Sequence, residues 1–146
     1  QIKQSDHTGA LLFLDLDNFK RINDSLGHNA GDEILVELSQ RLTRVLNPTD
    51  TLARVGGDEF IILIENVGDS HKQASLESEL MAKVVQSVFY DKFEIGDLAF
   101  QVSCSIGICL INNANAISEN ILKFADTAMY RSKMKGGNSS SFYDPA

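Results

Sequence analysis

The chain has 146 residues and a net charge of −7, with 43% hydrophobic and 23% charged residues. These values fit a single soluble domain, and the acidic balance argues against nucleic acid as a partner, because a phosphate backbone needs a basic face. No apolar run is long enough to span a bilayer, so we expect no membrane contact by this domain.

The first predicted strand ends in acidic residues. The apolar run from Ala10 to Leu14 is followed by Asp15-Leu16-Asp17, which is typical of a central strand buried on both faces. Asp15 and Asp17 lie on one side of such a strand. Asp17 or Asn18 could cap the helix that follows, whereas a carboxylate at a buried strand end, such as Asp15, needs a partner or a metal.

Two helical segments come next. The segment from Phe19 to His28 begins as a helix and breaks at Gly27, and a second helix starts across residues 29–33. The apolar residues of this second helix have helical spacing and are expected in the core: Ile34, Leu35, Leu38, Leu42, Val45 and Leu46. Asn23 and Asp32 allow two interpretations. In the simpler one, Asn23 is a turn residue and Asp32 is an N-terminal helix residue favoured by the helix dipole. In the other interpretation, both residues bind a ligand.

A glycine-rich hairpin lies near the middle of the chain. The segment Arg54-Val-Gly-Gly-Asp-Glu-Phe60 joins two short runs rich in β-branched residues, so we expect two strands and a tight turn at Gly56-Gly57. The neighbouring carboxylates of Asp58 and Glu59 repel each other, and a divalent cation between them would relieve this. A solvated turn is the simpler alternative.

The second half predicts a helix, a hairpin, a long strand and a last helix. Helical spacing runs from Leu76 to Val88, and a hairpin turn at Gly96-Asp97 leads into a two-residue alternation from Leu98 to Leu110. Cys104 and Cys109 have an odd spacing within that strand. They should therefore point to opposite faces and stay unpaired, which favours a reducing, cytoplasmic location.

The last helix is expected from Ile117 to Lys135, with a basic end that includes Lys133. This end could simply complement the helix dipole or could neutralise a phosphate. An edge strand at residues 141–143 would follow.

These elements predict an α+β fold with helices against a mainly antiparallel sheet. The first strand and the Gly56-Gly57 hairpin would be neighbours, so that Asp15, Asp58 and Glu59 converge with Lys133 in reach. Such a group suits a magnesium–triphosphate site and two-metal phosphoryl or nucleotidyl transfer. A Walker loop is absent from the sequence, which argues against a P-loop ATPase.

Four segments in this order and spacing resemble the GGDEF family of diguanylate cyclases. They run from Phe13 to Asp32, Arg54 to Phe60, Ser103 to Ile108 and Ala125 to Lys133. The resemblance implies a fold like the palm of nucleotide cyclases and polymerases, with a ferredoxin-like core. It also implies a homodimer that joins two GTP molecules into cyclic di-GMP and releases two pyrophosphates.

Carried over by position, the resemblance makes Asp15, Asp58 and the Leu16 carbonyl the ligands of Mg²⁺ or Mn²⁺. Asp58 and Glu59 are then the catalytic acidic residues, with Glu59 near the attacking 3′-hydroxyl.

The remaining positions carried over bind the substrate. Asn23 and Asp32 match the positions that hold guanine. Asn18 and Phe19 match backbone amides that face the phosphates, Lys133 matches the phosphate lysine, and Lys20 is also carried over to the substrate.

Two positions depart from the family pattern. Gly137 stands where an arginine is usual, so one phosphate contact is lost, and Lys135 could replace it only partly, because it lacks the bidentate fork. Residues 47–50 read Asn-Pro-Thr-Asp, without the arginine of the usual product-inhibition site, so we expect no inhibition by cyclic di-GMP there.

The resemblance covers residues 1–146 as one domain that lacks the usual preceding helix. The closing Phe142-Tyr143-Asp144-Pro145 resembles a junction to an EAL phosphodiesterase domain, and a sensor could lie upstream. The alternative function is therefore a catalytically weak GTP-binding module that regulates an attached phosphodiesterase.

Overall fold

The computed structural model of the protein describes residues 8–112 and 119–144. Its strands are β1 (Thr8–Leu16), β2 (Thr51–Arg54), β3 (Glu59–Gly68), β4 (Phe93–Ile95), β5 (Leu98–Phe100), β6 (Cys104–Ile111) and β7 (Ser140–Phe142). Its helices are α1 (Phe19–Leu26), α2 (His28–Val45), α3 (His71–Ser87) and α4 (Glu119–Met134). The start of the last helix that we expected at Ile117 lies outside the described residues. None of the helices in the described ranges is long and apolar enough to cross a bilayer.

Five strands form the main sheet in the order β2-β3-β1-β6-β7. β1 lies in the centre and is antiparallel to both β3 and β6, while the edge strand β7 runs parallel to β6. Each residue of β1 is buried except Asp15, which is half-buried, as its apolar run predicts. The α+β architecture with a mainly antiparallel sheet is confirmed.

The two faces of the sheet build two apolar cores. Leu12 and Leu14 of β1 belong to the larger core, with residues of α1, α2 and α3, whereas Leu11 and Phe13 belong to the smaller one, with residues of α4. Cys104 lies in the larger core and Cys109 in the smaller, and both thiols are free. The prediction that these cysteines point to opposite faces is confirmed.

The prediction of one continuous strand from Leu98 to Leu110 is wrong. Residues 98–100 pair with β4 in a separate two-stranded sheet, after a turn in which Gly96 has a φ of 61°. The chain then leaves the extended ladder for three residues, and β6 begins at Cys104. In this gap the Ser103 carbonyl accepts the amide of Asp17 at 2.9 Å. The register that pairs Leu16 with Cys104 therefore places Ser103 beside the end of β1.

Candidate active site

The Gly56-Gly57 turn is held by the strand that leads into it. Arg54 donates from Nε to the Gly56 carbonyl at 3.0 Å and from Nη2 to the Gly57 carbonyl at 2.8 Å. The Val55 amide donates to the Glu59 carbonyl at 2.9 Å, which closes the turn. A Cβ on Gly56 would lie 2.5 Å from Glu59 Oε1, so the glycine makes room for this carboxylate.

The end of β1 meets this hairpin directly. Asp15 lies opposite Glu59 in the β1–β3 register, and the Leu16 amide donates to the Asp58 carbonyl at 3.2 Å. Because opposite residues of an antiparallel pair share a face, Asp15 and Glu59 both lie on the side of the sheet that α4 covers. The structure thus brings together the strand end and the acidic pair, as the sequence predicts.

Lys133 reaches this group from the last turn of α4. Its Nζ lies 2.9 Å from the Leu16 carbonyl oxygen, 3.2 Å from Asp15 Oδ1 and 3.1 Å from Asp17 Oδ1. The side chain is only 26% exposed. The expected reach of Lys133 is confirmed, and its partners here are protein oxygens.

Asp17 is a hydrogen-bonded carboxylate, for which the sequence suggested only the role of a helix cap. It accepts from Ser103 Oγ at 2.6 Å, Ser105 Oγ at 2.7 Å and the Asn138 amide at 2.8 Å, besides Lys133. The helix-cap interpretation is wrong, because Asn18 at the N-cap has a φ of 58° and makes no side-chain cap bond. The signal for this role was the Ser103-x-Ser105 spacing, which puts two hydroxyls on one side of the chain.

Burial, neighbouring carboxylates and hydrogen bonds shift the pKa values of these groups in different directions. Burial, and next the charge of Asp58, raise the pKa of Asp15 to about 6 against the opposing effect of Lys133. Burial, Asp126 and Asp58 together raise the pKa of Glu59. Burial would also raise the pKa of Asp17, but its hydrogen bonds from Ser103, Ser105, Asn138 and Lys133 outweigh it and lower the value. A further cation would therefore be favoured between Asp15 and Asp58.

The donor set suits a hard divalent cation, although not as a cluster of three acidic side chains. Within residues 8–112 and 119–144, no three His, Cys, Asp or Glu side chains are placed to hold a metal. Asp15, Asp58 and Glu59 do meet here, as expected, but the Glu59 carboxylate turns over Gly56, so the three do not form one cluster of metal ligands. The set that fits is the Asp15 carboxylate, the Asp58 carboxylate and the Leu16 carbonyl, and the Lys133 ammonium already marks two of these as cation-binding oxygens.

Asn23 and Asp32 lie on either side of the α1–α2 junction. Asn23 Oδ1 is buried and has no hydrogen-bond partner among the described residues. It packs on Gly31, where a Cβ would collide with it and would lie 3.1 Å from Phe19 Cζ. Asp32 is exposed and lines an open groove of about 350 Å³ between α2 and β4. The Asn23 amide oxygen and the Asp32 carboxylate are both hydrogen-bond acceptors, so each can receive a donor of a planar base.

The three residues at the start of α1 face different surroundings. Phe19 is buried in the core, whereas Asn18 and Lys20 are exposed. The first amides of a helix have no intrahelical carbonyl partner, so this end of α1 can accept an anion.

Gly137 takes a conformation that disfavours a side chain. Its φ is 80°, and a Cβ there would lie 2.9 Å from both carboxylate oxygens of Asp17. The glycine is therefore a structural part of the loop that delivers the Asn138 amide to Asp17. Residues 47–50 form a closed turn, with the Asn47 amide bonded to Asp50 Oδ2 at 2.9 Å.

Comparisons with known proteins agree with these features. The family model described as "Diguanylate cyclase, GGDEF domain" matches residues 1–139. The bifunctional diguanylate cyclase/cyclic di-GMP phosphodiesterase MucR of Pseudomonas aeruginosa is 35% identical over 144 residues, which are 99% of this chain and 20% of MucR. The cyclic di-GMP phosphodiesterase NbdA of the same organism is 39% identical over 134 residues, which are 92% of this chain and 16% of NbdA.

The crystal structure of the GGDEF domain of YfiN (TpbB) from Pseudomonas aeruginosa superposes with a TM-score of 0.86 at 32% identity. The match covers 96% of this chain and 84% of that one. The chain thus spans a fifth or less of MucR and NbdA but most of this solved domain.

Proposed function

Because this chain belongs to the GGDEF domain family of diguanylate cyclases, we propose that it condenses two GTP molecules into cyclic di-GMP and two pyrophosphates. The observation that carries this proposal is the meeting of Asp15, the Leu16 carbonyl and the Asp58 segment at one strand end, with Lys133 Nζ 2.9–3.2 Å from the first two. Such hard oxygens beside an ammonium group suit a metal-bound triphosphate.

Asp15, Asp58 and the Leu16 carbonyl would hold the divalent cation, Mg²⁺ or Mn²⁺. When bound, this cation lowers the pKa of the attacking 3′-hydroxyl and neutralises the leaving pyrophosphate. Lys133 and the N-terminal amides of α1 at Asn18 and Phe19, with Lys20 beside them, would bind the phosphates.

Each condensation step exchanges one phosphorus–oxygen bond for another. The 3′-oxygen of one GTP bonds to the α-phosphorus of the other, the bond to the β-phosphate oxygen breaks, and the pyrophosphate takes the bonding electrons. We assign the acceptance of the hydroxyl proton to Glu59. Its raised pKa, caused by burial, Asp126 and Asp58, makes it a better proton acceptor than an ordinary glutamate.

Asn23 and Asp32 would select guanine. Asn23 Oδ1 lacks a partner among the described residues, so it can accept from the base, and the Asp32 carboxylate can accept from a second donor. Adenine presents a different edge and would leave the buried Asn23 oxygen unpaired, which is costly.

The reaction needs two copies of the domain. Each copy would hold one GTP, and the two sites must face each other for both 3′-hydroxyls to attack. We therefore propose a transient homodimer in the cytoplasm. In the whole protein, a covalently attached EAL phosphodiesterase and an upstream sensor domain would accompany this domain.

The second candidate is a GTP-binding module that regulates an attached phosphodiesterase without making product. Gly137 favours it, because the residue lacks a phosphate-binding side chain and its backbone disfavours one. The similarity to NbdA, a protein named for phosphodiesterase activity alone, points the same way. Under this alternative, GTP binds and no cyclic di-GMP forms.

The test is incubation with GTP and Mg²⁺ at high protein concentration, with the products separated by chromatography. We expect cyclic di-GMP from the wild type and none from Asp58→Ala. The matched control is Asp69→Ala, an exposed carboxylate in the β3–α3 loop, which should retain activity. Binding of a non-hydrolysable GTP analogue without any product would favour the regulatory module instead.

A further inference from the structure

The ammonium group of Lys133 is bound to the oxygen atoms that the proposed function assigns to the cation. Nζ lies 2.9 Å from the Leu16 carbonyl oxygen and 3.2 Å from Asp15 Oδ1, both of them proposed metal donors. Its third contact, at 3.1 Å, is with Asp17 Oδ1, which the proposed function does not use. Lys133 therefore has two partners that the metal would need and one that it would not.

We propose that Lys133 is an internal counter-ion that holds the metal-donor oxygens until metal and triphosphate arrive, and that Asp17 is the positioning residue that keeps its ammonium group at the site. This inference rests on the proposed function, because it takes Asp15 and Leu16 as metal donors. It adds a second role for Lys133 and a role for Asp17.

The two cations compete for these oxygens. Mg²⁺ needs its ligands at about 2.1 Å, and an ammonium group in contact with the same Leu16 and Asp15 oxygens would lie within a few ångströms of it and repel it. Metal binding is therefore strengthened when Lys133 leaves both atoms. A triphosphate offers the displaced ammonium new oxygen partners, so that metal and nucleotide favour each other's binding, and this coupling is reciprocal.

Asp17 is fixed well enough to serve as the pivot. Two serine hydroxyls and one amide hold its carboxylate at 2.6–2.8 Å, from Ser103, Ser105 and Asn138. These donors come from β6, the residue just before it and the loop after α4, so the carboxylate cannot follow the ammonium group. Lys133 can rotate away from Asp15 and Leu16 while it stays bonded to Asp17.

The test measures Mn²⁺ affinity without nucleotide, by calorimetry or by the electron paramagnetic resonance of free Mn²⁺. Lys133→Met removes the competing charge and should bind Mn²⁺ at least tenfold more tightly than the wild type. Lys133→Arg keeps the charge and should bind Mn²⁺ as weakly as the wild type. Lys123→Met, an exposed lysine on the same helix, is the matched control and should change nothing.

The same titration with a non-hydrolysable GTP analogue measures the coupling. The analogue should tighten Mn²⁺ binding to the wild type at least tenfold, and this gain should largely disappear in Lys133→Met. Asp17→Asn should also reduce the gain, whereas a merely structural Asp17 would lower the melting temperature and leave the gain unchanged. A cooperative thermal transition establishes that each variant is folded. If Lys133→Met does not fold, the Mn²⁺ affinity of Lys133→Arg still tests the inference.

Equal or weaker Mn²⁺ binding by folded Lys133→Met would overturn the inference, as would tighter binding by Lys133→Arg. The product assay separates this result from the proposed function. Cyclic di-GMP formation with no effect of Lys133→Met on Mn²⁺ refutes only the counter-ion role. Tighter Mn²⁺ binding without product upholds that role and refutes the cyclase.

Discussion

Gly31→Ala should separate GTP affinity from protein stability. A Cβ at residue 31 would collide with Asn23 Oδ1, which is the flexible end of a side chain and can move, and would lie 3.1 Å from Phe19 Cζ, so that this ring must shift by a few tenths of an ångström. Alanine within a helix is also favoured over glycine by about 1 kcal/mol. The free energy of unfolding should therefore change by no more than about 1 kcal/mol, while the Asn23 amide leaves its place.

The loss of affinity follows from the hydrogen bonds that the displaced amide can no longer make. One or two such bonds are worth about 1–3 kcal/mol, so a non-hydrolysable GTP analogue should bind roughly 10- to 100-fold more weakly. Calorimetric titration measures the affinity, and urea denaturation measures the stability.

A double-mutant cycle makes this prediction specific to Asn23. If Gly31→Ala acts only by displacing the amide, then Asn23→Ala should cost about as much, and the double variant should bind no more weakly than either single one. Additive losses in the double variant, or unchanged affinity in Gly31→Ala, would refute the reasoning. Asn29→Ala, an exposed change on the same helix, serves as the control.

Three further predictions concern charge, packing and regulation. The pKa of Asp15 is about 6 when folded against 3.8 as the reference, so the folded state holds this proton more tightly, and the stability cost of ionising Asp15 grows between these two pKa values and is complete above about pH 6. In the presence of a chelator, urea melts should therefore show Asp15→Asn gaining stability relative to the wild type as the pH rises from 4 to 7, and an opposite trend would contradict the assignment. Gly107→Ala should destabilise by about 3 kcal/mol, because its Cβ would collide with the main chain of α4 at Ala125 and Met129, whereas Gly57→Ala, with open space around it, should melt like the wild type. Cyclic di-GMP at micromolar concentration should not bind at residues 47–50, and a calorimetric signal that is lost in Asp50→Ala would show that it does.

Local sequence patterns predicted the parts of the site that lie on one strand or turn. The apolar run before Asp15 predicted a buried central strand, and the two glycines before Asp58 predicted the hairpin. Once these two elements are neighbours in one sheet, the meeting of Asp15 and Asp58 follows from the ends of the strands. The position of Lys133 near these carboxylates was predicted because it lies at the end of the last helix and its side chain is long enough to reach the sheet.

The parts that escaped prediction depend on contacts between distant residues. Asp17 looked like a helix cap because its neighbours in sequence allow that role, yet its partners Ser103 and Ser105 are 86 and 88 positions away. The alternation after Leu98 does not continue as one strand because the partner strand β1 ends at Leu16, opposite Cys104, and residues 98–100 pair with β4 instead. A two-residue period reports which side chains alternate, but it does not report where the partner strand ends.

The measurement that tests the central claim most directly is the rate of cyclic di-GMP formation from GTP in mixtures of wild type and Asp58→Ala. If two facing copies are needed, the rate should rise more steeply than linearly with wild-type concentration. When Asp58→Ala replaces wild type at a constant total protein concentration, the activity of the mixture should fall faster than the wild-type fraction does. No cyclic di-GMP at any concentration, under conditions in which the GTP analogue binds, would contradict the cyclase and leave the regulatory GTP-binding module.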